Sequence, residues 1–179
     1  MRVIAGTLKS RTIQTLKGET TRPSSDRLKE AMFNQIGPYF SGGQILDVFS
    51  GSGAVAIEAI SRGMTKATLI EKDRKAQAII ETNISNFKLK ESTKLLKGDV
   101  QSVLKTINDK FDIIFLDPPY DYKEMEIVIE LCEPLLKEDG ILIMETDKFT
   151  DLPDSIKRLI KIKEKKYGFA KLHTYEMSQ

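Results

Sequence analysis

The sequence predicts an α/β domain built on a mostly parallel sheet with helices on both faces, preceded by a short hairpin and helix. Three observations carry this. From residue 44 onward, apolar runs alternate with amphipathic segments at helical spacing, the pattern of strands joined by crossover helices. A pair of glycines stands where the first run gives way to a helix, and an acid closes the second run.

The elements follow in order. Residues 2–5 and 11–15 are β-prone runs joined through Gly6-Thr7-Leu8, expected to pair as a hairpin. Arg22-Pro23 followed by Ser24, Ser25 and Asp26 marks a helix start; Leu28, Met32 and Ile36 share one face, and Gly37-Pro38 stops it. Strands are expected at 45–49, 67–71, 94–97, 111–116 and 140–145, with helices at 54–62, 74–87, 100–107 and 123–136. In the second of these helices Ala76, Ile79, Ile80, Ile84 and Phe87 form an apolar stripe that reads as core. Residues 159–163 and 170–175 flank Tyr167-Gly168 as an antiparallel hairpin that closes the sheet. The chain thus divides into an N-terminal extension, 1–40, and a main domain, 41–179.

Composition bounds the function. The 179 residues are 40% hydrophobic and 30% charged, as in a globular protein, and no apolar run approaches the roughly 20 residues of a membrane span. The start is too polar for a secretory signal, with Lys9 and Arg11 arriving early, so a cytoplasmic protein without a membrane role is expected. Cys132 is the only cysteine, which excludes an internal disulfide and any zinc site made of cysteine pairs. The net charge of +2 is unevenly spread: residues 1–37 hold seven Lys or Arg against three acids, and a second basic cluster runs over 157–166. Such segments suit a phosphate-rich partner, or are a solvated basic surface.

Leu46-Asp47-Val48-Phe49-Ser50-Gly51-Ser52-Gly53 turns a buried strand into a helix. Glycines there let a ligand approach the backbone, and the helix N-terminus offers unpaired N–H groups. Asp47, Gly51 and Gly53 are therefore expected to border an adenosine-containing cofactor, although the spacing alone fits NAD as well as S-adenosyl-L-methionine. Glu71, ending the second strand, can accept hydrogen bonds from both ribose hydroxyls or be a surface acid. Asp99 can accept from the adenine amino group or cap the helix that follows it.

Asp117-Pro118-Pro119-Tyr120 follows the apolar strand at 111–116, at the sheet edge where α/β proteins bind ligands. An exocyclic amine on a nucleobase is a poor nucleophile because its lone pair is conjugated into the ring. Two acceptors, each taking one amino hydrogen, would localise that lone pair. Asp117 supplies one and the Pro118 carbonyl the other, held by prolines of fixed φ, while Tyr120 stacks on the base. The remaining demand is in-line positioning, which needs no metal. Tyr122 and Phe169 are further aromatic candidates that read more simply as scaffold, and His173 carries no catalytic role.

Arg2-Val3-Ile4-Ala5-Gly6 with Lys9-Ser10-Arg11, then the run from Thr21 to Asn34 around Pro23-Ser24-Ser25-Asp26-Arg27, then Leu46 to Gly53 with Glu58-Ala59 and Ser61-Arg62-Gly63, then Asn83 and Asp117 to Tyr120, stand in a distinctive order. In this order the chain resembles the RsmD-type 16S ribosomal RNA guanine-N2 methyltransferases of bacteria along almost its whole length. Ser10 departs from a usual glycine, and Lys29 from a usual arginine, with loss of bidentate phosphate geometry there.

The resemblance implies a class I, Rossmann-like S-adenosylmethionine-dependent methyltransferase with a seven-stranded, mostly parallel sheet whose last strand is antiparallel. It implies S-adenosyl-L-methionine as cofactor and S-adenosyl-L-homocysteine as product; no metal is expected, and a monomer is expected. The substrate it implies is a guanine in a hairpin loop of 16S ribosomal RNA on the small ribosomal subunit. By the same analogy Arg11, Arg22, Asp26 and Arg27, together with Tyr120, face the RNA near the cofactor. The competing readings are a DNA or RNA adenine-N6 or cytosine-N4 methyltransferase, which would use the same Asp117 and Tyr120, and a non-catalytic ribosome assembly factor.

Overall fold

A computed structural model describes residues 1–17 and 23–179. In chain order the elements are α1 (Pro23–Ile36), β1 (Gln44–Asp47), α2 (Ala54–Ser61), β2 (Lys66–Glu71), α3 (Arg74–Asn86), β3 (Thr93–Lys97), α4 (Val100–Leu104), β4 (Phe111–Leu116), α5 (Met125–Cys132), β5 (Leu136–Asp147), β6 (Ser155–Ile156), β7 (Leu159–Tyr167) and β8 (Ala170–Met177).

The strands form one sheet in the order β3-β2-β1-β4-β5-β8-β7-β6. β1 to β5 pair in parallel, while β8 runs antiparallel to β5 and β7 antiparallel to β8. Seven strands are thus those expected, and the eighth, β6, is a two-residue addition at the edge. The strand order reverses between β1 and β4, so the carboxyl ends of these two strands open the crevice in which such sheets bind ligands.

Side-chain alternation explains the layers. Ile45, Ile113, Phe115 and Ile143 point to the face covered by α1, α2 and α3, where Met32, Phe33, Ile57 and Ile80 pack. Leu46, Ile114, Leu116 and Leu142 point to the other face, covered by α4 and α5 through Val100, Leu104, Val128 and Cys132. A strand buried on both sides has to be apolar at every position, and 111–116 comes close to that.

Some boundaries moved for local reasons. β1 stops at Asp47 because the Ser50 hydroxyl donates to the Asp47 carbonyl at 2.7 Å and turns the chain. α5 ends at Cys132 rather than 136, since Pro134 has no N–H to continue it and the chain passes through a short 3-10 turn. β5 runs longer than expected, over Leu136–Asp147, because Leu136 pairs with Phe111 of β4 at one end and Asp147 with Ala170 of β8 at the other.

The N-terminal hairpin is reduced to one antiparallel bridge, Arg2 to Thr12. Its arms are bonded to each other, with Val3 N–H donating to the Arg11 carbonyl at 3.0 Å and Ile13 N–H to the Met1 carbonyl at 2.9 Å, and they are bonded to two helices as well. The Glu58 carboxylate on α2 accepts from Ile4 N–H at 2.9 Å and Ala5 N–H at 3.0 Å. The Asn83 amide on α3 accepts from Gln14 N–H at 2.9 Å and donates to the Gln14 carbonyl at 3.0 Å. Gly6 lies so close to α2 that a Cβ would sit 1.8 Å from the Ser61 carbonyl oxygen, and its φ of +87° also demands glycine. Val3, Ile13, Leu28, Met32 and Phe33 are buried in the same cluster as Ile57 and Ile80, so the extension has no core of its own.

A buried ion network fastens this arrangement. Glu58, fully buried, pairs with Arg62 at 2.9 Å and with Lys29 of α1 at 3.2 Å, and Lys29 also donates to the Arg2 carbonyl. Lys29 is therefore a core cation rather than a phosphate contact.

Candidate active site

The carboxyl ends of β1, β2, β4 and β5 bring together Asp47, Glu71, Asp117 and Glu145. Register fixes the last two: Leu116 pairs with Met144, which sets Asp117 beside Glu145 on the neighbouring strand.

Asp47 is 1% exposed. Burial, then the charge of Asp117 and that of Glu71, pushes its carboxyl up to about 8. The Ala56 amide opposes this without reaching hydrogen-bond geometry, and both carboxylate oxygens are buried with no hydrogen-bond partner among the described residues. Glu145 is pushed up to about 9, by burial and then by Asp117. A buried acidic site of this kind fits a ligand that carries positive charge and N–H donors. S-adenosyl-L-methionine has both, in its sulfonium and its methionyl ammonium, so the orphaned Asp47 oxygens are suited to it.

Glu71 is held by two backbone amides: Gly51 N–H donates to Oε2 and Asp73 N–H to Oε1, each at 2.9 Å. The carboxylate is aimed at the crevice and keeps lone pairs for two hydroxyl groups. Asp99 caps α4 by accepting from Ser102 N–H at 3.2 Å, and it also borders the crevice. Gly53 starts α2 with a φ of 81°, and a Cβ there would press on Leu69 at 3.2 Å.

Two adjoining cavities meet at this edge. The first, about 400 Å³, is bordered by Gly51, Glu71, Asp99, Asp117, Pro118 and Tyr122. The second, about 690 Å³, runs from Asp47 and Asp117 past Glu145 to Phe169 and to Leu28 of α1. Gly51, Asp117, Tyr120 and Glu145 border both. The Asp-Pro-Pro-Tyr turn is closed by Tyr122 N–H donating to the Pro119 carbonyl at 2.9 Å, and it leaves the Tyr120 ring 73% exposed. Tyr122 is wall: its ring meets Phe49 edge-on at 5.2 Å, and its hydroxyl accepts from Gln101.

The N-terminal residues assigned to RNA by resemblance are only partly brought here. Asp26 lies on α1 between Ser25 and Leu28, which border the second cavity; its carboxylate is 4.0 Å from Lys29, and Arg27 beside it is exposed. Arg22 lies outside the described residues. Arg11 borders neither cavity. It donates to the Asn86 carbonyl at 2.7 Å and lies over the Phe87 ring at 4.3 Å, so the C-terminal end of α3 engages it away from Asp117. Phe169 is not scaffold but 73% exposed. His173 is buried, with its Nε2 2.9 Å from the Thr146 hydroxyl.

Sequence reasoning missed Glu145 and Glu58. Glu145 could have been found from its place at the end of an apolar strand; nothing local marked Glu58, an acid within an apolar helix, as the anchor of residues 4 and 5.

No helix among the described residues is long and apolar enough to cross a membrane. Residues 1–176 match the family described as Conserved hypothetical protein 95. YlbH of Bacillus subtilis (strain 168) is 35% identical, with 98% of each chain covered. Ribosomal RNA small subunit methyltransferase D of Haemophilus influenzae is 33% identical, covering 98% of this chain and 93% of its own. A solved structure, a conserved hypothetical protein of Streptococcus pyogenes, is 45% identical with a TM-score of 0.79, over 84% of this chain and 95% of that one. With its crevice, its glycine turn and these relatives, the chain belongs to that family, the RsmD-type methyltransferases.

Proposed function

We propose that this protein transfers a methyl group from S-adenosyl-L-methionine to the N2 amino group of a guanine in a hairpin loop of 16S ribosomal RNA. It acts as a monomer in the cytoplasm, on an assembled or nearly assembled small subunit. The observation that carries the reading is Asp117 on the wall shared by the two cavities, an arrangement that suits a cofactor in one and a base in the other.

When bound, S-adenosyl-L-methionine supplies an electrophilic methyl group on a sulfonium. The residues of the chain do the rest. Gly51 and Gly53 allow close approach of the backbone, Glu71 accepts from the ribose hydroxyls, and Asp99 accepts from the adenine amino group. Asp47 faces the methionyl ammonium. Asp117 and the Pro118 carbonyl each accept one hydrogen of the target amine, which frees its lone pair, and Tyr120 stacks on the flipped base. Asp26 and Arg27 on α1 face the RNA from the far side of the second cavity, and Arg22, outside the described residues, is assigned to the RNA by resemblance alone. An unpaired loop base suits this crevice because it can be splayed out without breaking a duplex.

Labelled methyl transfer to purified small subunits, naked 16S RNA and DNA tests the proposal. Incorporation into small subunits or their RNA, mapped by mass spectrometry to N2 of one guanine, is expected. Incorporation into DNA alone, or into no nucleic acid, sinks it.

A further inference from the structure

Two of the most exposed large side chains, Phe149 at 82% and Phe169 at 73%, sit on two turns at the carboxyl edge of the sheet. The turns are built together. Lys148 N–H donates to the Phe169 carbonyl at 2.9 Å, just beyond the last β5 to β8 pair, Asp147 with Ala170. The Asp147 carboxylate holds its own turn, accepting from Phe149 N–H at 2.7 Å and the Thr150 hydroxyl at 2.8 Å.

Between the two rings lies one cation. Lys148 Nζ is 5.0 Å from the Phe149 ring centroid and 5.3 Å from that of Phe169. Tyr167, on the same side, has Lys165 at 5.1 Å from its ring. Single exposed phenylalanines are ordinary, but two rings sharing a lysine, one of them bordering the second cavity, are not.

Position ties this surface to the reacting centre. Phe169 and Tyr167 border the same cavity as Asp117 and Tyr120. Glu145 stands level with Asp117, and Asp147 lies two residues further along β5, about 7 Å at roughly 3.3 Å per residue, the reach of a nucleotide or two along an unpaired strand.

We propose that Phe149, Phe169 and Lys148 form a stacking platform for the unpaired RNA nucleotides that flank the methylated base, continuing from Tyr120 over the turns of the sheet edge. Aromatic faces stack on any base, and the lysine neutralises phosphate, so the platform grips the strand without reading its sequence. The inference rests on the reading of the substrate as RNA. Because these side chains stand clear of the reacting base, they act on substrate affinity rather than on the transfer step.

Phe149→Ala, Phe169→Ala and the double variant, as full chains, test this. Both rings face water, so the unfolding temperature is expected to stay within about 2 °C of the parent. Binding of a fluorescein-labelled, unstructured RNA of about 12 nucleotides is expected to weaken roughly tenfold per ring and to return in Phe149→Trp. On small subunits lacking the methyl group, KM is expected to rise by a similar factor with kcat within about twofold. Equal RNA affinity in parent and double variant overturns the platform, as does an effect confined to self-association in sedimentation. A parent that binds the RNA through these rings but transfers no methyl to any RNA keeps the platform and removes the proposed activity.

Discussion

Gly51 N–H donates to Glu71 Oε2 at 2.9 Å, so the acid that ends the second strand also fixes the glycine turn that ends the first. Two features separated by 20 residues in the chain thus meet at the crevice proposed to hold the cofactor. In Glu71→Ala the turn loses its tether and the ribose its acceptor together. Calorimetry is expected to show S-adenosyl-L-methionine binding weakened by about tenfold or more, in line with the loss of charged hydrogen bonds of about 1.5 to 3 kcal/mol. Unchanged affinity would remove the ribose assignment.

Asp117→Ala separates chemistry from binding. Its proposed task is on the amino group, so the transfer rate is expected to fall by at least about 10²-fold while cofactor affinity changes by no more than several-fold. Single-turnover kinetics with saturating cofactor measures the first and calorimetry the second. A variant that keeps its rate contradicts the mechanism.

Asp47 is expected to make the stability of the ligand-free protein depend on pH. Its ordinary value is near 4, and in the folded chain it is pushed up to about 8. Below pH 4 folded and unfolded chains bind the same proton and the stability is fully present. Between about 4 and 8 the folded chain holds a proton that the unfolded chain has released, so stability falls as pH rises, and it levels off above 8. Glu145 acts in the same direction up to about 9. Asp47→Asn is therefore expected to flatten the slope and to raise ligand-free stability at pH 8 by about 1 kcal/mol or more, roughly 2 to 4 °C in Tm, while weakening cofactor binding. Thermal melts at acid, neutral and basic pH check it; a slope identical to the parent's shows that Asp47 is not the group responsible.

Glu58 is a structural rather than a chemical acid. Glu58→Ala leaves Lys29 and Arg62 as buried cations without their anion and frees the amides of Ile4 and Ala5. Breaking a buried pair in this way costs about 3 to 5 kcal/mol, read as a lower denaturant midpoint. A loss below about 1 kcal/mol would mean that the network adds little to the attachment of the extension.

The sequence by itself determined the alternating strands and helices, the glycine turn, Glu71 and the Asp-Pro-Pro-Tyr motif, because each depends on residues adjacent in the chain: burial on two faces, positive φ, and prolines of fixed geometry. It also marked Asp99 as a helix cap. Only the tertiary structure decided which distant groups meet. Strand register set Glu145 beside Asp117, and burial left the Asp47 oxygens without a hydrogen-bond partner among the described residues. Helix packing drew Arg11 to the end of α3 and Lys29 into the core, although both looked like RNA contacts in a basic N-terminal run. The N-terminal arms pair as their composition predicts, but only the fold showed that Glu58 and Asn83 bond the backbone amides that face the helices. Local propensity specifies what a segment can form, but a buried carboxylate needs donors wherever the fold supplies them, and here the fold supplied the amides of residues 4 and 5.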